Sequence, residues 1–90
     1  MKKYMRIHKN DNVAVMLYDG KRGDTVALGD LEVTLEEDIP YGHKIALKDF
    51  SEGDRVMKYN QPIGAATKSI GKGSWIHIHN MRSLRGGSGA

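Results

Sequence analysis

"LYDGKRGDTV" (residues 17–26) and "LKDFSEGDRV" (residues 47–56) agree at Leu, Asp, Gly, Asp and Val, and "TKSIGKGSWI" (residues 67–76) keeps the Gly while placing Ser at each Asp position. Each reads as the end of one strand, a polar turn whose Gly can adopt φ > 0, and a new strand opening directly after it. The spacing is too irregular for a solenoid, so the pattern is recurring turn chemistry inside one small β domain.

Between these corners the periodicity is mostly two. "NVAVML" (12–17), "EVTL" (32–35), "KIALK" (44–48), "RVMKY" (55–59), "IGAAT" (63–67) and "WIHIH" (75–79) read as short strands separated by Gly, Asp, Asn and Pro. "YNQPIG" (59–64) joins two of them by a tight turn in which Asn60 tolerates a left-handed backbone. One short helix is predicted around "LEEDI" (35–39), ended by Pro40. Eleven glycines and many short strands make the chain a compact, irregular all-β barrel or clip with at most a short helix. The domain is expected over residues 1–82, followed by a flexible tail, 83–90, whose "RGGSGA" has nothing to bury.

At 90 residues the chain has room for a small core but not for a deep substrate cavity with its own supporting shell, so any chemistry would need walls borrowed from a partner. It has no cysteine, which excludes disulfides and thiolate metal sites and points to the cytoplasm. No apolar run approaches the ~20 residues of a spanning helix, so no membrane association is expected. The formal charge is +3, from fourteen basic and eleven acidic residues interspersed along the chain. Nucleic-acid binders gather their basic residues on one face, so this scatter argues against nucleic acid, while the mild excess suits a small anionic ligand.

"GSWIHIHN" (73–80) carries the most chemistry. On a strand, Trp75, His77 and His79 share one face and Ile76 and Ile78 the other, and strand rise places the two imidazoles about 6 to 7 Å apart. That spacing allows both to reach one metal or one anion, with His8 or His43 as a further metal ligand, and it is equally met on a solvated strand face. In "YGHKIAL" (41–47), Gly42 permits a close turn, and His43 and Lys44 then pair a group that exchanges protons near neutrality with a fixed positive charge, as a carboxylate ligand requires. Ahead of the first apolar run, Asp11 and Asn12 read as an Asx-type turn that leaves His8 unexplained. The acidic run "EEDI" reads as a solvated helix start, and phosphate-loop, dinucleotide and Ser/His/Asp signatures are absent.

Taken in order, "IHKNDNVAV" (7–15), "DIPYGHKIAL" (38–47), "GDRVMKYNQPIGAAT" (53–67) and "IGKGSWIHIHN" (70–80) resemble the N-terminal domain of the altronate/galactarate dehydratase family. The resemblance implies a SAF-type β-clip domain, related to type III antifreeze protein, that is either fused to a larger catalytic portion or a separate small subunit. It implies a hydro-lyase that dehydrates a sugar acid to a 2-keto-3-deoxy acid, with ferrous iron in the holoenzyme held mainly by a large dehydratase subunit. It further implies catalytic roles for His43 and Lys44, and substrate contacts from His8, His77, His79 and Asn80. One departure is Asn60, where the family usually has Gly. The small subunit of sulfolactate sulfo-lyase resembles the same motifs, including "HNMRSL" (79–84), and expels sulfite instead of water. A non-catalytic SAF-type binding or assembly module, homo-oligomeric when isolated, is the reading from a different class.

Overall fold

The computed structural model describes residues 3–6 and 8–83. Among the described residues nine strands follow in order: β1 (Tyr4–Met5), β2 (Val13–Met16), β3 (Thr25–Leu28), β4 (Leu31–Thr34), β5 (Lys44–Ala46), β6 (Arg55–Lys58), β7 (Gln61–Ala66), β8 (Trp75–Ile76) and β9 (Met81–Ser83). They form a four-stranded sheet in the order β1-β2-β5-β8, a β3-β4 hairpin and a three-stranded sheet in the order β6-β7-β9. All pairings between strands are antiparallel. The expected tail lies outside the described residues from Leu84 onward.

The corners organise everything else. Gly23, Gly53 and Gly73 adopt φ of 92°, 91° and 93°, as the repeated pattern requires, and each is followed by a residue whose N–H closes the turn onto the carbonyl three positions back. A fourth copy appears in "DIPYGH" (38–43), where Gly42 has φ 85° and the His43 N–H donates to the Pro40 carbonyl. The corners pair two by two: Gly20 and Ile39 exchange both backbone hydrogen bonds, as do Phe50 and Ile70. Asp19, Asp38 and Asp49 fasten these pairs by accepting the N–H of Tyr41, Arg22 and Lys72.

The expected helix at 35–39 does not form. Leu35 and Ile39 are buried, a four-residue spacing that imitates a helical face, but the backbone N–H groups go elsewhere: Leu35 to Asp24, Glu36 to Gly73 and Ile39 to Gly20. Five residues cannot repay helix nucleation against corner bonds of this kind. The core falls into two clusters on the two faces of the main sheet. One gathers Ala14, Met16 and Ile45 with Leu35 and Ile39, and the other gathers Val13, Ala46 and Ile76 with Phe50 and Val56.

Tyr59 and Asn60, at φ 58° and 59°, make the two-residue turn between β6 and β7, with left-handed backbone at both positions. Asn60→Val should therefore lower stability by about 1–2 kcal/mol, while Asn60→Gly should change it by less than about 0.5 kcal/mol, both read from urea unfolding. Equal effects of the two substitutions would show that backbone conformation does not govern this turn.

Candidate functional site

Three imidazoles meet at one edge of the main sheet. His43 reaches it from the fourth corner, and His77 and His79 from the segment after β8, the edge strand. The indole of Trp75 lies among them. Its ring is 5.1 Å from that of His43, edge to face, 5.7 Å from that of His77, stacked at 26°, and 5.8 Å from that of His79. The His43 and His77 rings are 5.0 Å apart.

The strand expected over 75–79 ends at Ile76. Asn80 ends it: its Oδ1 accepts the His77 N–H, its Nδ2 donates to the Trp75 carbonyl, and its own N–H closes onto the His77 carbonyl. The resulting turn leaves Ile78 82% exposed, so the expected inward apolar face stops at Ile76, yet His77 and His79 still fold back onto Trp75. Asn80 is buried, and both ends of its amide bond the turn that presents the two histidines.

Lys44 sits next to His43 in sequence but on the other face of the sheet. It pairs with Val15 and Ile76, whereas Trp75 pairs with Ile45. Half-buried there, Lys44 is pushed below the ordinary lysine range by burial and then by the charge of Lys58, a neighbour that the strand pattern of 55–59 gave no reason to single out. At this narrow edge its field still crosses to the imidazoles. His77 is held below the ordinary histidine value, first by partial burial and then by His43, Lys44 and His79, and each of these neighbours is basic. An NMR titration of the ring protons should accordingly find His77 protonating at lower pH than a histidine in a model peptide; a midpoint at or above that reference would contradict this electrostatic picture.

His8 belongs to a different network. Its Nδ1 accepts the Asn10 N–H, and its own N–H donates to Asp11. Among the described residues its ring makes no contact with the imidazole cluster. No three His, Cys, Asp or Glu side chains among the described residues are grouped so as to hold a metal ion. A groove of about 570 Å³ opens between β1 and β3, lined by Lys3 to Arg6 and Thr25 to Leu28, none of which belongs to the cluster. No helix among the described residues is long and apolar enough to cross a membrane.

Residues 2–84 match the family described as "Altronate/galactarate dehydratase SAF domain". The chain is 40% identical over 92% of its length to altronate dehydratase of Bacillus subtilis and 45% identical over 89% to that of Escherichia coli, and it spans only 17% and 16% of those proteins. It is 31% identical over 84% of its length to "(2R)-sulfolactate sulfo-lyase subunit alpha" of Chromohalobacter salexigens, and there it spans 88% of the relative. The all-β corners, the two-sided core and these matches agree: the chain belongs to the SAF-domain family of the altronate/galactarate dehydratases.

Proposed function

We propose that this chain is the small subunit of a cytoplasmic hydro-lyase, forming one wall of an active site that a larger dehydratase polypeptide completes, and that the substrate is a sugar acid of the altronate or galactarate kind. The observation that carries the reading is the meeting of His43, His77 and His79 around Trp75 at an exposed sheet edge, in a chain of this family. All the neighbours that shift His77 are basic, which suits an anionic ligand.

Elimination of water removes the proton beside the carboxylate and expels the neighbouring hydroxyl, giving an enol that becomes the 2-keto-3-deoxy acid. In this reading His43 binds substrate or moves a proton and Lys44 supplies positive charge for the carboxylate. His77 and His79 make polar contacts at the cleft. Asn80 shapes the turn that carries them, and His8 reaches substrate only if the partner brings it near. The described residues of this chain offer no ligand set for the ferrous iron that the resemblance implies, and in this reading the larger polypeptide would hold it.

The 31% identity to the sulfo-lyase subunit over 84% of this chain supports a second reading. In that case the same wall would serve expulsion of sulfite. Mixing the chain with the larger polypeptide and assaying altronate, galactarate and sulfolactate separates the two. Turnover of a sugar acid only in the mixture supports the hydro-lyase, turnover of sulfolactate alone supports the sulfo-lyase, and rates unaffected by this chain would overturn both.

A further inference from the structure

Trp75 meets the cluster through more than ring packing. Its Nε1–H donates to Nδ1 of His43 across 3.3 Å. An indole nitrogen can only donate, and a neutral imidazole carries one N–H, so a nitrogen that accepts leaves the ring proton on the other. We infer that Trp75 is a positioning residue that locks neutral His43 in its Nε2–H form, so that this ring presents a hydrogen-bond donor, and not a basic lone pair, to an anionic ligand.

Both partners are held independently of the bond between them. The Trp75 N–H donates to Glu37 Oε2 at 3.0 Å and its carbonyl accepts from Asn80 Nδ2 at 2.8 Å, while the indole stacks on His77. The His43 backbone is fixed on both sides, its N–H donating to Pro40 and its carbonyl accepting from Met16. Donor and acceptor are therefore placed before any ligand arrives, the condition under which a polar group aids a reaction most.

What the locked ring does to a substrate rests on the function proposed above. With Nδ1 accepting from Trp75, the single proton of the neutral ring lies on Nε2. A neutral Nε2–H polarises a carboxylate or enolate oxygen by hydrogen bonding without giving up its proton. Of the two roles open to His43, this selects substrate binding and leaves removal of the carbon-bound proton to another group.

The test needs no substrate, metal or partner, so its failure is distinct from failure of the lyase reading. Two- and three-bond proton–nitrogen correlation spectra of the ¹⁵N-labelled 90-residue chain, taken above the pH of histidine titration, report the tautomer of each ring. The wild-type chain should show His43 with Nδ1 unprotonated. Trp75→Phe, which keeps an aromatic ring but no N–H, should move the His43 nitrogens toward the averaged values of a mixed population. His43 protonated at Nδ1 in the wild type would overturn the inference, as would an unchanged pattern in Trp75→Phe. If that variant does not fold, the wild-type spectrum decides alone.

Discussion

Asp11→Ala should lower stability by about 3 kcal/mol, and the melting temperature of so small a domain by more than about 10 °C. Asp11 is 2% exposed, and its carboxylate accepts three backbone N–H groups: His8 at 3.0 Å, Tyr59 at 3.0 Å and Asn60 at 2.8 Å. Two of these donors belong to the left-handed turn between β6 and β7, so one side chain ties the N-terminal segment to a hairpin far along the chain. Arg6 adds to the same knot by donating to the Asp11 carbonyl. Thermal and urea unfolding followed by circular dichroism would check the figure, and a loss below about 1 kcal/mol would show that water replaces the carboxylate without penalty.

The same residue sets an acid limit. Burial pushes the Asp11 carboxyl upward, but the hydrogen bonds from Asn60, Tyr59 and His8 outweigh it and hold it below the ordinary aspartate value. The unfolded chain then takes up this proton at higher pH than the folded one. The stabilisation is fully present above the unfolded value of about 3.9 and is lost as pH falls through the lower folded value. Asp11→Ala should remove that part of the acid-side slope.

The local reading of Asp11 and Asn12 as an Asx-type turn shows where sequence reasoning stops. Both side chains act mainly across the fold, Asp11 on Tyr59 and Asn60, and Asn12 on Met57 and Arg55. None of these four pairings has a local signature. The corners, in contrast, were legible because a positive-φ Gly flanked by Asp or Ser is a local requirement that survives any tertiary arrangement. The fourth corner was legible as a close turn at Gly42 but not as a copy of the pattern, because Pro40, Tyr41 and His43 disguise it, though its Asp38-to-Gly42 spacing matches Asp19 to Gly23. Alternation failed at His77 because Asn80 captures a backbone N–H that a continuing strand would have needed. The clustering of His43 with His77 followed from the family resemblance and from the need for a third metal ligand, not from local pattern; the bond from Trp75 to His43 was legible from none of these, since it joins β8 to the corner just before β5, its neighbour in the sheet.

His43→Ala addresses the account as a whole. Removing one fixed donor from a site that stabilises developing negative charge costs roughly a hundredfold or more in kcat. The variant should also leave the fold intact, because the His43 ring is only partly buried and its corner is held by backbone bonds. The deciding measurement is kcat of the complex reconstituted from the larger dehydratase polypeptide and either wild-type or His43→Ala chain, with assembly verified by sedimentation. A fall of at least about a hundredfold in an intact complex is the predicted result, and kcat within about twofold of wild type would contradict a wall of the active site built from these imidazoles.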